Sequence, residues 1–290
     1  TSSGGANIRI SGGAKGIGIC GNRILGRWAN EEPAKWGVVV EGGAQDVTIG
    51  GDKENEISKH RKGGVLITDE GTRNVEVIHN NISSNGIGVK VTDKAEDVRI
   101  GGKHPFLRNY IFGNGVAGVS ADTSGTKVQI INNHIGLDPD GKKVPNAVGI
   151  ILKDGVHGVN VLLNTISGNQ DGISITDGAH NNIITQNDIT SNTRYGVTVS
   201  KNSVFNNLRG NIITANGANG ISLSEGGNQM IKAPVIEVIL PNGVKGKVQA
   251  PNGSLVDLYA DPDDEGQRLL GWDMVRNNRF YIRVPIPVSY

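Results

Sequence analysis

Short apolar segments in which every second residue is hydrophobic recur along most of the chain. One of them begins with glycine, as in Gly172-Ile173-Ser174-Ile175, and it returns at Gly196-Val197-Thr198-Val199 and Gly220-Ile221-Ser222-Leu223. These copies are spaced 24 residues apart, and further copies begin at Gly16, Gly37, Gly64, Gly88, Gly118 and Gly149. A fixed period of this size indicates a repeat architecture.

Two further elements accompany the glycine segment. One is a short apolar-x-apolar segment, such as Val128-Gln129-Ile130. The other is Asn-x-Ile, which begins at Asn22, Asn55, Asn80, Asn109, Asn133, Asn164, Asn187 and Asn211. All three alternate with a period of two, and none has the three- and four-residue apolar spacing of a helix.

Three short strands per repeat, stacked about nine times, predict an all-β fold, a right-handed parallel β-helix. Inward Ile and Val side chains then stack on their counterparts about 4.8 Å away in the next coil, which buries a continuous core. Right-handedness is expected because parallel crossovers are almost always right-handed. We predict a structural role for the recurrent asparagines, in turns and in a ladder of side-chain amides.

The repeat ends near residue 230, and the composition then changes. Five segments read as antiparallel strands separated by Pro-Asn-Gly and similar turns. They are 235–240, 244–250, 254–260, 269–274 and 280–284. We therefore predict two domains, a β-helix over residues 1–230 and a small β-sandwich-like domain over 231–290 that caps it.

Composition narrows the choice of partners. The chain has 290 residues with 29 basic and 28 acidic side chains, so its net charge is close to zero. It therefore lacks the positive electrostatic potential that attracts a polyanion, and nucleic acid is not expected as a partner. No apolar run is long enough for a membrane span. The single cysteine, Cys20, cannot form an internal disulfide, and we predict that it is buried. Because the chain starts almost inside a coil, we predict a protein partner or self-association at this N-terminal coil.

An insertion over residues 25–36 contains Arg27, Trp28 and Trp36. Two tryptophans beside charged residues are typical of a sugar-stacking or protein-docking surface. The alternative, which we favour, is that the tryptophans cover the first coil as a cap.

Two more insertions occupy residues 101–108 and 136–145. The second contains Asp138 and Asp140, whose oxygens are the kind of ligand that Ca²⁺ prefers. A structural calcium site is therefore a hypothesis here. The spacing lacks a complete calcium-binding loop, so a plain Pro-Gly turn is the favoured interpretation.

Acidic residues follow the first strand of successive repeats. They are Asp69, Asp93, Asp122, Asp154 and Asp177. A stacked row of like charges favours cation binding or raised pKa values, and it makes these residues candidates for ligand contact. The alternative is turn chemistry, in which aspartate bonds the backbone.

Two of these turns repeat the pattern Asp-Gly-x-His, at Asp154 to His157 and at Asp177 to His180. If the coils stack in register, both aspartates and both histidines meet on one turn, with Lys201 one coil further on. Such a group suits a transition metal or an acid/base pair. It is the best catalytic candidate in the sequence.

The sequence also resembles a family at this point. Asn133-His134-Ile135-Gly136-Leu137-Asp138-Pro139-Asp140-Gly141 is similar to the coil pattern of bacterial right-handed β-helix repeat proteins of the secreted, cell-surface kind, and the tail around Val256-Asp257-Leu258-Tyr259 is similar to the small β-domain that follows such repeats. The resemblance implies a secreted or surface-exposed location and specifies architecture more than activity.

The preferred functional hypothesis is a non-catalytic structural or interaction protein that presents a rigid β-helix to a protein partner or a polysaccharide. One alternative is a polysaccharide-active enzyme of lyase, hydrolase or epimerase type, with its site around Asp154 and Asp177. The signatures Asn-Thr-Asp, Gly-His-Gly and Asp-Pro-His of such enzymes are missing from the sequence. A second alternative is a carbohydrate-binding module that uses Trp28 and Trp36.

Overall fold

The computed structural model of the chain describes residues 5–26, 35–123, 127–260 and 266–284. Within these ranges the strands of the repeat region are, in chain order, β1 (Ala6–Ile10), β2 (Lys15–Ile19), β3 (Arg23–Leu25), β4 (Trp36–Val40), β5 (Gln45–Ser58), β6 (Gly63–Ile67), β7 (Arg73–Ser83), β8 (Ile87–Val91), β9 (Glu96–Gly101), β10 (Tyr110–Phe112), β11 (Ala117–Asp122), β12 (Val128–Ile131), β13 (His134–Ile135), β14 (Val148–Lys153), β15 (Asn160–Leu162), β16 (Thr165–Ser167), β17 (Asp171–Ile175), β18 (Ile183–Thr185), β19 (Asp188–Thr190), β20 (Val197–Val199), β21 (Asn207–Arg209), β22 (Ile212–Thr214) and β23 (Ile221–Leu223). Short 3-10 segments lie at Pro105–Leu107 and Gly227–Met230.

These strands form a right-handed parallel β-helix, as the sequence predicts, with about eight turns where about nine were expected. The first face is the sheet β1-β4-β6-β8-β11-β14-β17-β20-β23. The second face runs from β2 to β21, and the third face from β3 to β22. The long strands β5 and β7 bend around the corner between the second and third faces, so these two faces share one hydrogen-bonded sheet.

Alternation within each strand puts aliphatic side chains into a single core that runs along the axis. Ile150, Ile173 and Val197 occupy one register position on successive coils, and each is fully buried. The predicted stacking of Ile and Val is therefore confirmed. Burial of such a side chain contributes about 1.5–3 kcal/mol relative to exposure, and it is the coil above or below that makes burial possible.

The glycine that begins the first-face segment marks a close approach between coils. A Cβ atom on Gly149 would lie 2.5 Å from the carbonyl oxygen of Gly172 in the next coil, and one on Gly172 would lie 2.4 Å from that of Gly196. The repeated glycine is therefore a packing requirement. Gly16 is the exception, because it lies on β2 in the second face with open space beside it, so its assignment to this motif was wrong.

The asparagine ladder is confirmed. Every Asn-x-Ile asparagine from Asn22 to Asn187 donates from its Nδ2 to the Oδ1 of the next, at 2.9–3.2 Å. The ladder asparagines are not the left-handed residues of the turn. That conformation belongs to the preceding residue, as in Asn132, Leu163 and Gln186 with φ of 53–60°.

The strands after the repeat are β24 (Val235–Leu240), β25 (Gly243–Lys247), β26 (Leu255–Ala260), β27 (Arg268–Met274) and β28 (Arg279–Arg283). They form two antiparallel sheets, β24-β25-β28 and β26-β27, around a core that includes Val256, Val275 and Phe280. Arg209 on the last coil contacts Asp257 of β26, with Nη2 and Oδ1 2.6 Å apart. The division of the chain at residue 230 stays a prediction.

Cys20 is exposed, so the prediction of a buried thiol is wrong. It lies at the corner that follows β2, beyond the last inward side chain of that strand, Ile19.

Candidate functional site

The acidic residues that follow the first face occupy two adjacent columns instead of one. Asp69, Asp93, Asp154 and Asp177 lie in turns with left-handed φ values of 50–76°. Aspartate tolerates this conformation better than most residues, which explains its recurrence there. Asp122 is instead the last residue of β11, where its register partner is Lys153. Its predicted place in the row of turn carboxylates is therefore wrong.

The carboxylates of Asp69 and Asp93 accept hydrogen bonds from the neighbouring coil. Oδ2 of Asp69 accepts a hydrogen bond from the backbone N–H of Gly42 at 3.1 Å, and Oδ2 of Asp93 accepts one from the hydroxyl of Thr68 at 3.1 Å. Both side chains thus link one coil to the coil before it. These contacts support the turn-chemistry interpretation of the two residues.

Lysines separate the remaining carboxylates. Asp122 is buried between Lys90 and Lys153, with Nζ–Oδ2 distances of 3.0 and 3.8 Å. Lys153 also contacts Asp154 at 2.7 Å. Its hydrogen bond to Asp154 raises the pKa of Lys153, and the charges of the carboxylates around it act in the same direction against the effect of burial. The expected repulsion along the column is therefore relieved by lysines that the sequence analysis missed.

The two Asp-Gly-x-His turns lie on successive coils, as the repeat predicts. The imidazole rings of His157 and His180 stack with centroids 5.0 Å apart. The aspartates are engaged elsewhere, Asp154 with Lys153 and Asp177 with Lys201 at 3.1 Å. The structure thus brings the histidines together and pairs the carboxylates with lysine. A catalytic role for this group stays a prediction.

The tryptophan insertion is described only in part. Arg27 and Trp28 lie outside the described residues. Trp36 is 5% exposed and packs against Val39 and Leu66 on the outside of the first face. A ring covered in this way cannot offer its face to a sugar, so it does not provide the predicted stacking platform.

The predicted calcium ligands occupy a tight turn. Oδ1 of Asp138 accepts hydrogen bonds from the backbone N–H groups of Asp140 and Lys142, at 3.1 and 2.8 Å. In the part of the chain that the structure describes, no group of three or more His, Cys, Asp or Glu side chains is arranged to hold a metal ion. The turn is explained by these hydrogen bonds, and the calcium hypothesis stays a prediction.

A second polar surface, which the sequence analysis did not identify, lies on the third face. Residues 102–108 lie just before β10 in the chain, and residues 137–144 lie just after β13. The second segment closes on itself, since Val144 donates to the carbonyl of Gly136 and accepts from Gly113, both at 2.9 Å. We call this surface the trough. Its floor is Tyr110 and His134, and its walls are residues 102–108 and 137–144.

Outward polar side chains continue the floor in both directions along the axis of the β-helix. The register places one residue from each successive strand in this row: Glu56, Asn81, Tyr110, His134, Thr165 and Asp188. Neighbours in the row are about 4.8 Å apart, the spacing of paired strands. The row therefore runs along the axis of the β-helix, with one insertion before β10 and the other after β13.

Two buried polar atoms beside the floor have no hydrogen-bond partner. They are Nε of Arg108, a donor, and Oδ1 of Asn81, an acceptor. The guanidinium of Arg108 is held at its other end, where Nη2 donates to Oδ1 of Asn132 at 3.0 Å. A buried polar atom without a partner costs about 1–3 kcal/mol.

His134 is neutral at physiological pH. Burial lowers the pKa of His134 to about 4, and the positive charge of Arg108 acts in the same direction. Its ring meets that of Tyr110 edge to face, with centroids 5.2 Å apart. No hydrogen bond within the described part of the chain engages either ring nitrogen. Strongly shifted pKa values of this kind cluster at functional sites.

This pKa predicts a pH-dependent stability that His134→Gln removes. The imidazole has a pKa near 6.5 in the unfolded chain and about 4 in the folded chain. Between these values the unfolded state binds a proton that the folded state does not, so the free energy of unfolding falls as the pH decreases through this window. We expect a loss of about 1–2 kcal/mol after allowance for partial exposure of the ring.

The measurement is urea unfolding of both proteins at neutral pH and near pH 4.5. The variant controls for the other groups that titrate over this range, including His60, whose pKa burial also lowers. An equal loss of stability in the two proteins would contradict the assignment to His134.

Comparison with known proteins supports the architecture. A family model described as "Right handed beta helix region" matches residues 97–233. The enzymatically active domain of tailspike protein 2 from bacteriophage CBA120 is 14% identical, with a TM-score of 0.56 over 77% of this chain and 36% of that chain. The full-length tailspike protein 2 gives the same TM-score over 77% of this chain and 32% of its own.

The chain therefore has a β-helix fold and spans about a third of the length of these tailspike structures. The A-module of mannuronan C-5 epimerase AlgE4 from Azotobacter vinelandii is 18% identical, with a TM-score of 0.47 over 76% of this chain and 79% of that chain. No curated protein matches the chain. Among the described residues, no helix has the length and apolar character needed to cross a membrane.

Proposed function

We propose that this chain binds an acidic polysaccharide in the trough of the third face. The observation that carries the proposal is the straight polar row through Tyr110 and His134, with Arg108 beside it. A polar row that runs along the axis, with an insertion before β10 and another after β13, suits an unbranched polymer lying parallel to the β-helix. Tyrosine and amide side chains in the row supply an amphipathic ring and hydrogen bonds for hydroxyl groups.

The charge beside Tyr110 and His134 favours a carboxylated polymer over a neutral one, while the two carboxylates of the row, Glu56 and Asp188, lie further along it. The wall of residues 102–108 contains Lys103 and Arg108 and no acidic residue, while the wall of residues 137–144 contains two lysines and two aspartates. Because burial keeps His134 neutral, the guanidinium of Arg108 is the charge next to the floor. A guanidinium pairs with a carboxylate more strongly than with a hydroxyl group.

The test is binding to polygalacturonate and alginate, with dextran as a neutral polymer. We expect at least one anionic polymer to bind and dextran not to bind. Arg108→Ala should weaken binding at least tenfold, because it removes a charge-assisted contact. Arg73→Ala is the matched control, since Arg73 is exposed on the second face and its loss changes the net charge equally.

Two results would overturn the proposal. One is that neither anionic polymer binds. The other is that Arg73→Ala weakens binding as much as Arg108→Ala, which would mean that net charge, and not the trough, determines the affinity.

The same trough supports a catalytic alternative, β-elimination within a uronate polymer. In this reaction a base removes the proton next to the carboxylate, the neighbouring glycosidic C–O bond breaks, and an acid protonates the departing oxygen. Arg108 would neutralise the carboxylate, His134 would take the proton and Tyr110 would give one. The specific observation in favour is a neutral imidazole without hydrogen-bonded partners beside a phenol.

Elimination leaves a carbon–carbon double bond, which ultraviolet absorbance detects. We expect absorbance to rise with wild-type protein and not with His134→Gln, while the variant still binds the polymer. Binding without any rise in absorbance would remove the catalytic alternative and leave the binding proposal intact. Self-association through the N-terminal coil and a secreted location stay predictions.

A further inference from the structure

His157 and His180 stack in the turns that connect the first face to the second face. The trough lies on the third face. The two histidines form an isolated parallel β-bridge between successive coils. Their ring centroids are 5.0 Å apart and their planes differ by 15°. His157 is exposed and His180 is partly exposed, so the repeat itself holds two accessible imidazoles side by side.

The backbone fixes the tautomer of both rings. Nδ1 of His157 lies 3.4 Å from the carbonyl oxygen of Gly155, and Nδ1 of His180 lies 3.0 Å from that of Gly178. A carbonyl oxygen only accepts hydrogen bonds, so Nδ1 carries the proton in each ring and Nε2 keeps its lone pair. Since the two rings make the same contact and are nearly parallel, both lone pairs are presented on the same side of the stack.

We infer that His157 and His180 together bind one divalent transition-metal ion through their Nε2 atoms. A carbonyl on the distal nitrogen is the arrangement by which metal-binding histidines are oriented. Metal–nitrogen bonds of about 2.0–2.1 Å lie in the plane of each imidazole, so both rings must turn out of the parallel stack until their planes meet at the ion.

Other nearby side chains leave the remaining coordination positions to water. Asp154 pairs with Lys153, and Asp177 pairs with Lys201. The site therefore has two protein ligands. Imidazole suits Zn²⁺, Ni²⁺ and Cu²⁺, and Cu²⁺ forms the most stable complexes of this series, so Cu²⁺ is the most sensitive probe. This inference is independent of the polysaccharide proposal.

The experiment is calorimetric titration of the full chain with Cu²⁺, with electron paramagnetic resonance of the complex. We expect one ion per chain with two equatorial nitrogen ligands from the protein. His157→Ala and His180→Ala should each weaken binding on the order of tenfold or more. His104→Ala is the matched control, because His104 is exposed on the wall of the trough and should leave the affinity unchanged.

Three results would overturn the inference. The first is that the two alanine variants bind Cu²⁺ as tightly as wild type. The second is that His104→Ala weakens binding equally. The third is a molecular mass that doubles with metal, which would place the ion between two chains. Thermal unfolding without metal shows whether each variant keeps its fold, as expected for surface positions.

Discussion

Gly149→Ala is expected to lower the free energy of unfolding by about 3 kcal/mol, near the top of the range for overpacked interiors. The new Cβ would lie 2.5 Å from the carbonyl oxygen of Gly172 and 2.7 Å from Cγ2 of Ile166. The carbonyl belongs to β17, which pairs with β14, so it cannot move without breaking the register of two coils. Urea unfolding measures the change.

Gly155→Ala is the matched control. Gly155 has a left-handed φ of 75°, and no atom lies within 4 Å of the position a Cβ would take. This substitution therefore carries only backbone strain, about 1–2 kcal/mol. A loss as large for Gly155 as for Gly149 would contradict the account, because a substitution that meets no neighbouring atom would then cost as much as one that meets the next coil.

Asn133→Ala is expected to lower the free energy of unfolding by about 3–6 kcal/mol. Asn133 is fully buried in the ladder. Its Oδ1 accepts from the side chain and backbone of Asn109 at 2.9 and 3.2 Å, and its Nδ2 donates to the carbonyl of Ile100 at 2.9 Å. Alanine leaves these partners buried without hydrogen bonds, at about 1–3 kcal/mol each.

The control for Asn133 is Asn207→Ala, a loss of the same amide at an exposed position of β21. We expect a change within about 0.5 kcal/mol there. Denaturant unfolding of both variants shows whether a buried ladder asparagine contributes more to stability than an exposed asparagine. If Asn133→Ala is as mild as Asn207→Ala, the ladder does not stabilise the coils in the way described.

The fold was predictable because each repeat carries the same pattern of glycine and alternating Ile and Val, so the prediction rests on many independent copies. The spacing of Gly149, Gly172 and Gly196 and the alternation of Ile and Val fix the number of strands per coil, their direction and the inward positions. The sequence could not reveal why glycine recurs, because the obstructing carbonyl belongs to the next coil. That contact appears only when the coils are stacked.

The row of acidic residues was predicted less accurately than the fold, because the acidic residue lies on the strand in one coil and in the turn in another. Asp122 is the last residue of its strand, whereas Asp154 is the first residue after its strand, so the two carboxylates lie in different columns. Lys90 and Lys153 were missed because they lie at outward strand positions, which carry no motif. Their pairing with Asp122 depends on the register between coils.

The trough was missed for a related reason. Arg108 lies in an insertion and His134 lies in a strand of the following coil, so they have no recognisable spacing in the sequence. Parallel register places His134 beside Tyr110, and the contact with Asn132 brings Arg108 next to them. The absence of a partner for Nε of Arg108 is a property of packing that no sequence pattern records.

The most direct test of the polysaccharide proposal is the pKa of His134, measured by NMR titration with and without saturating oligogalacturonate. Burial, and secondly the positive charge of Arg108, lower the pKa of His134 to about 4. The proposal predicts that this pKa rises on binding, because a carboxylate paired with Arg108 cancels the second of these two effects. At constant pH, the resonances of His157 and His180, which lie between the first-face and second-face strands, should not shift when the oligosaccharide is added. A His134 pKa that stays the same while the oligosaccharide is bound would contradict the proposal, because the ligand would then lie elsewhere.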